Sequence, residues 1–76
     1  MVVGVCLINV ELGKESEVET VLSKHDGIRE LLNLFGEYDF IALIDAKGLQ
    51  DLNKIVDKIR DVDGISSTRT IIGAEF

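Results

Sequence analysis

Four residues with complementary chemistry stand together in the middle of the chain, at Gly36, Glu37, Tyr38 and Asp39. A glycine at such a place permits the positive φ of a turn and exposes backbone N–H groups. The Asp39 carboxylate can accept hydrogen bonds from those groups or meet the ammonium of a ligand, and Tyr38 offers an amphipathic wall. The motif therefore predicts either a small-molecule site or an ordinary hairpin turn with a self-capping aspartate.

The other reactive side chains favour neither catalysis nor metal binding. His25 is the only histidine, which argues against a histidine-based metal site, and it follows a helical stretch where a cation suits the helix dipole. Cys6 lies inside an apolar segment and is predicted to be a packed, inert thiol. We therefore predict no catalytic residue, no metal and no cofactor.

The elements that must position these residues occur in two copies. Asp26-Gly27-Ile28 recurs as Asp63-Gly64-Ile65, and each triplet follows a stretch with helical spacing of apolar residues. Each copy is predicted to form a strand, a helix and a strand. The predicted strands cover residues 2–10, 28–35, 38–46 and 65–72, and the predicted helices cover 15–24 and a segment that Gly48 opens and Asp63-Gly64 ends, with an apolar face at Leu49, Leu52, Ile55, Val56 and Ile59.

This order predicts one α+β domain over residues 1–76 with the ferredoxin-like βαββαβ fold. Its four-stranded antiparallel sheet has the order 4-1-3-2, and both helices cover one face. The two central strands, however, are apolar on both faces, and a large uncovered apolar face usually marks an interface. We therefore expect a homodimer in which two sheets pack face to face. Its predicted interface residues are Val3, Val5, Leu7, Ile41 and Leu43.

Composition and charge narrow the function further. The 76 residues include 8 basic and 14 acidic side chains, which give a net charge of -6. Such a chain is repelled by phosphate backbones, so direct binding to nucleic acid or to an anionic membrane is not expected. A single cysteine and no secretory segment predict the cytoplasm.

The chain resembles the C-terminal effector domain of the Lrp/AsnC transcription regulators, the RAM domain, from about Val3 onward. The resemblance is carried by the apolar first strand, the Gly-Glu-Tyr-Asp turn before Phe40-Ile41-Ala42-Leu43, the Asp-Gly-Ile after the second helix and the threonines of the last strand. It implies a domain that dimerises through its sheets and assembles further, often to an octamer. It also implies a small effector, commonly an amino acid, that binds between dimers.

By position, the resemblance implies an effector site of Gly36, Glu37, Tyr38 and Asp39 together with Thr68 and Thr70. The family's helix-turn-helix has no counterpart in the 76 residues, so the expected role is a stand-alone module. Such a module would modulate a full-length Lrp/AsnC regulator by joining its assembly, without binding DNA itself. For the two threonines, the residues alone equally allow ordinary strand-forming positions.

Two other functions share the topology. A small cofactor-free enzyme of the dimeric α+β barrel type, a monooxygenase or isomerase, would use His25 or Tyr38 as its acid or base. An amino-acid sensor of the ACT type would bind a similar ligand. ACT modules often pair side by side, so sheet-face dimerisation would favour the Lrp/AsnC interpretation.

Overall fold

The computed structural model describes the backbone of residues 1–75 and the side chains of residues 1–73. Its elements are β1 (Val2–Val10), α1 (Glu15–Ser23), β2 (Ile28–Asn33), β3 (Phe40–Ala46), α2 (Leu49–Arg60) and β4 (Ile65–Glu75). The strands form one antiparallel sheet in the order β2-β3-β1-β4. The predicted βαββαβ topology, with β1 and β3 in the centre, is confirmed.

The core lies between the two helices and one face of the sheet. Alternate residues of the central strands supply one side of it, and α1 and α2 supply the other. The buried apolar residues are Val2, Cys6, Ile8, Val18, Leu22, Phe40, Ala42, Ile44, Ala46, Leu52, Ile55, Val56 and Ile59. A Cβ built on Gly4 of β1 would lie 2.6 Å from Cδ1 of Leu52, so the absence of a side chain at Gly4 lets α2 approach the sheet closely.

The helix starts follow from acidic residues in the first turns. The Glu15 carboxylate accepts the backbone N–H of Gly13 at 2.9 Å, and the Asp51 carboxylate accepts that of Lys47 at 3.0 Å. Both carboxylates also lie at the positive end of a helix dipole. Neither α1 nor α2 has the length and apolar character needed to cross a lipid bilayer.

Several predicted boundaries are wrong by one to three residues. Strand β2 ends at Asn33, and β3 begins at Phe40. The connection over 34–39 is therefore longer than the tight hairpin turn expected at 36–39. The backbone N–H of Leu34 donates to the carbonyl of Asp39 at 2.9 Å and closes this loop. Strand β4 continues to Glu75 instead of ending at 72, because its last residues still pair with the start of β1. Helix α1 ends at Ser23 rather than 24.

Leu49 was expected on the apolar face of α2 but is 55% exposed. The buried face of α2 begins one turn later, at Leu52. The first turn of the helix extends past the end of the sheet, where Leu49 lines a surface cleft with Val2 and Ile72. An apolar residue in the first turn can therefore satisfy the helical periodicity and still find no core to enter.

Candidate functional site

Asp39 joins the 34–39 loop to the end of the central strand β1. Its Oδ2 accepts the backbone N–H of Val10 at 2.8 Å, and its own backbone N–H donates to the carbonyl of Ile8 at 2.9 Å. The sequence motif predicted a carboxylate that accepts backbone N–H groups of its own turn or a ligand ammonium. The structure assigns it to a neighbouring strand, so half-buried Asp39 has a structural role before any ligand is considered.

The rest of the loop is open to solvent. Gly36 has φ +121°, a backbone conformation that favours glycine, and no atom lies within 4 Å of a Cβ built on it. Glu37 is exposed and Tyr38 is half-buried. Phe35, which the sequence analysis did not single out, has a fully exposed side chain (102%). The loop therefore offers free backbone groups and an uncovered aromatic ring beside the anchored Asp39.

Thr68 and Thr70 lie on the helix-covered face of β4, where they pair with Ile8 and Cys6 of β1. The Thr68 hydroxyl accepts the Nε–H of Arg60 at 3.1 Å. The Thr70 hydroxyl donates to Sγ of Cys6 at 3.8 Å. Both hydroxyls are thus held by groups of the same chain.

The six predicted site residues therefore form two groups. Asp39 precedes β3, and Thr68 lies on β4. Strand β1 separates these two strands, because Ile8 of β1 pairs with Phe40 on one side and with Thr68 on the other. The 34–39 loop stands at the end of the sheet, whereas Thr70 lies farther along β4. Within one chain the structure does not bring the loop and the two threonines into one cavity.

Cys6 has no access to solvent. Its burial raises the pKa of the thiol, while the Thr70 hydroxyl and the charge of Arg60 act in the opposite direction more weakly. The thiolate is the reactive form of cysteine, so a buried thiol with a raised pKa is a poor nucleophile. The structure agrees with the predicted inert role.

The uncovered face of the sheet carries the five residues predicted for a dimer interface. They lie on adjacent strands, with Val5 opposite Leu43 and Leu7 opposite Ile41, and all are half-buried. The prediction that β1 and β3 carry apolar residues on both faces agrees with this arrangement. On the edge strands, half-exposed Ile71 and Leu32 continue the apolar surface.

Asp45 lies on the same uncovered face, and the sequence analysis missed it. Its Oδ2 is 3.5 Å from Nη1 of Arg29, while its Oδ1 is buried and has no hydrogen-bond partner. An unsatisfied buried carboxylate oxygen is uncommon in folded proteins. The available signal was an acidic residue two positions after Leu43, on a face that is otherwise apolar in β3.

The described residues hold no cluster of three or more His, Cys, Asp or Glu side chains that could bind a metal ion. His25, the alternative acid or base, accepts the backbone N–H of Gly27 through Nδ1 at 3.0 Å. A cleft of about 760 Å³ lies at the end of the sheet opposite the 34–39 loop, between the start of β1, the start of α2 and the end of β4. A smaller hollow of about 320 Å³ is lined by Arg60, Ile65, Ser66, Ser67 and Thr68.

The sequence was compared with models of known protein families. A family model described as the Lrp/AsnC ligand binding domain matches residues 4–74. The chain belongs to this family. The resemblance inferred from the Gly-Glu-Tyr-Asp turn and the apolar strands is thereby confirmed.

Relatives of this Lrp/AsnC domain include longer proteins. The HTH-type transcriptional regulator FL11 of Pyrococcus furiosus is 36% identical over 66 residues, which are 87% of this chain and 44% of the regulator. The chain thus spans less than half the length of the curated relatives it matches first. A homocitrate synthase of Sulfurisphaera tokodaii is 41% identical over 49 residues, which are 64% of this chain and 11% of the enzyme.

Solved structures have the same fold. The crystal structure of FFRP-DM1 is 35% identical, has a TM-score of 0.91, and is covered over 100% of its length by 97% of this chain. A feast or famine regulatory protein from M. tuberculosis, complexed with L-methionine, has a TM-score of 0.83 at 15% identity, over 100% of this chain and 52% of that protein. The second match shows a shared fold alone.

Proposed function

We propose that this Lrp/AsnC domain is an effector-responsive assembly module. It pairs through the uncovered sheet face, binds a small effector, an amino acid, next to the 34–39 loop, and assembles further. It acts on transcription by joining a full-length Lrp/AsnC regulator, without contacting DNA itself. The observation that carries the proposal is the uncovered sheet face, which presents five apolar side chains on adjacent central strands.

The uncovered face supports pairing with a second copy of the chain. Helices cover only the other face, and the described part of β4 stays in the sheet instead of folding back over these side chains. Burying apolar surface against a second sheet stabilises by roughly 25 cal/mol for each Å² removed from water. A 76-residue domain has a small core of its own, so this contribution is a large part of its stability. The predicted interface of Val3, Val5, Leu7, Ile41 and Leu43 remains our proposal.

The 34–39 loop supports an effector site that needs more than one chain. An effector carboxylate can bind to free backbone N–H groups near Gly36, and an effector ammonium can approach the Asp39 carboxylate. Thr68 and Thr70 are separated from Asp39 by β1 in the same chain. We place the site between copies, so that it forms on assembly. The L-methionine complex of the structural neighbour supports an amino acid as the class of ligand.

The net charge and the similarity to a transcription regulator support a role as a binding partner of such a regulator. The net charge of -6 disfavours direct contact with DNA. The relative FL11 is an HTH-type regulator of which this chain matches 44%. A domain with the same fold can enter the assembly of such a regulator through the same sheet face. The cytoplasmic location remains a prediction from the single cysteine.

An enzymatic function has less support. His25 precedes β2 and Tyr38 follows it, so the two candidate acid or base groups stand at opposite ends of a six-residue strand, about 20 Å apart. The match to homocitrate synthase covers 11% of that enzyme. An enzyme and a transcription regulator can both use a domain that senses a ligand, whereas a catalytic centre would have no use in the regulator. We therefore propose no catalytic activity.

Native mass spectrometry and thermal-shift measurements with the twenty amino acids test the proposal. We expect a dimer or a larger assembly at micromolar concentration, and a raised melting temperature with at least one amino acid. Leu43→Glu should dissociate the dimer because it buries an unpaired carboxylate, which costs several kcal/mol. Leu12→Glu, the same change in a fully exposed loop, should not. A monomeric wild type would refute the pairing, and an intact assembly without any thermal shift would refute the effector.

A further inference from the structure

Two complementary features lie at opposite ends of the sheet. Phe35 projects from the 34–39 loop with its whole side chain in solvent (102% exposed). The cleft of about 760 Å³ opens at the other end, where Val2 pairs with Ala46. Its apolar wall is formed by Val2, Leu49 and Ile72, of which the last two are more than half exposed. Each feature leaves apolar surface that the side chains of residues 1–73 do not cover.

Phe35 cannot occupy the cleft of its own chain. The loop precedes Phe40, and the cleft begins after Ala46, so the seven residues of β3 separate them. At about 3.3 Å per residue this is roughly 20 Å. A Phe35 side chain that is buried in such a cleft must therefore enter the cleft of another molecule.

The charges at the two ends also match. The loop carries Glu37 and Asp39 and no basic residue. The cleft is bordered by Lys47 and Lys54, and neither lysine belongs to an ion pair of the described side chains. Asp51, the acidic residue of the cleft, already accepts the backbone N–H of Lys47. A loop from a second copy would bring Glu37 toward these two lysines.

We propose that the 34–39 loop of one copy inserts Phe35 into the cleft beside Leu49 of the next copy, so that assembly above the sheet-face dimer is head to tail. The contact joins two different surfaces of the protein. A row of copies joined in this way has a free loop at one end and a free cleft at the other, unless the row closes into a ring. It is separate from the proposed sheet-face dimer, since neither Phe35 nor Leu49 belongs to β1 or β3. The occupant is a second copy of this chain, chosen by the fit of an uncovered ring to an apolar cleft and of Glu37 to Lys47 and Lys54.

Paired cysteine variants in the full chain test this contact. Phe35→Cys and Leu49→Cys, prepared separately and mixed under mild oxidation, should give a covalent dimer that neither variant gives alone. Cys6 is buried and should not interfere. A disulfide in Phe35→Cys alone would show that loops meet loops and would overturn the proposal. No disulfide in the mixture, in an assembly that native mass spectrometry finds larger than a dimer, would overturn it as well.

Native mass spectrometry of Phe35→Ser provides the second test. We expect the larger assembly to fall to a dimer, while Leu12→Ser, at an equally exposed leucine (97%), leaves it intact. Loss of the dimer itself in Phe35→Ser would put Phe35 in the sheet-face interface and overturn the inference. A wild type that stops at the dimer would also overturn it and leave the proposed sheet-face pairing standing. Only a monomeric wild type would remove that pairing too.

Discussion

Replacing Asp39 separates its structural role from its proposed contact with an effector. In Asp39→Ala the backbone N–H of Val10 loses the carboxylate that accepts it at 2.8 Å. The substitution leaves the two backbone hydrogen bonds of residue 39 in place, so the loop should keep its path. In Asp39→Asn an oxygen acceptor remains for Val10, and only the charge is removed.

The size of the effect follows from that one bond. A hydrogen bond to a charged group contributes about 1.5–3 kcal/mol, and half-buried Asp39 belongs in the lower half of that range. For a domain of this size, 1 kcal/mol shifts Tm by about 4–8 °C. Asp39→Ala should therefore lower Tm by about 6–18 °C. Asp39→Asn, which keeps a neutral bond of about 1 kcal/mol, should lose roughly half as much.

Thermal unfolding at fixed protein concentration measures this, since the Tm of an oligomer depends on concentration. Glu37→Ala is the matched control because Glu37 is exposed in the same loop, and its Tm should change by no more than about 4 °C. Equal Tm values for Asp39→Ala and Glu37→Ala would refute the structural role. Adding the stabilising amino acid then tests the site: Asp39→Asn should stay folded and lose the ligand-induced shift, and a full shift in that variant would remove Asp39 from the site.

The remaining predictions concern the close approach of α2, the loop and the buried thiol. Gly4→Ala should destabilise the fold by about 1–3 kcal/mol, since its Cβ would lie 2.6 Å from Leu52 Cδ1. In a double-mutant cycle measured by urea unfolding, adding Leu52→Ala should recover part of that loss. Gly36→Ala should lower the free energy of unfolding by about 1–3 kcal/mol in the same assay. The cause is backbone strain at φ +121° and not a steric clash, because a Cβ at this position meets no atom. An unchanged stability would contradict this strain. Because burial raises the pKa of Cys6 in the folded state, the unfolded state loses its proton first, so stability should fall as pH rises above about 9, and Cys6→Ala should lack this fall.

The sequence was sufficient for the fold because its strongest signals are periodic. The two-residue period of a strand placed Val3, Val5 and Leu7 on one face of β1, as the structure shows, and the repeated Asp-Gly-Ile indicated two similar halves. Boundaries were less accurate, since the loop is closed by a bond between Leu34 and Asp39 that leaves no periodic signal.

The site could be predicted only in part, for a reason of geometry. The period of two places Thr68 and Thr70 on one face but does not say which, because that depends on register with β1. This register includes a shift between Asn9 and Val10. The bond from Val10 to Asp39 and the exposure of Phe35 depend on neighbours distant in sequence, so neither was accessible from local pattern.

The pairing of β1 with β4 has a consequence for how the protein is made. The central strand β1 is synthesised before its neighbour β4, which consists of residues 65–75, and Cys6 pairs with Thr70. Until those residues leave the ribosome, the uncharged segment 2–8 has an unpaired edge. Contacts of such high sequence separation slow folding, and unpaired apolar strands are prone to aggregate. The nascent strand β1 should therefore stay prone to aggregation until β4 is available to pair with it.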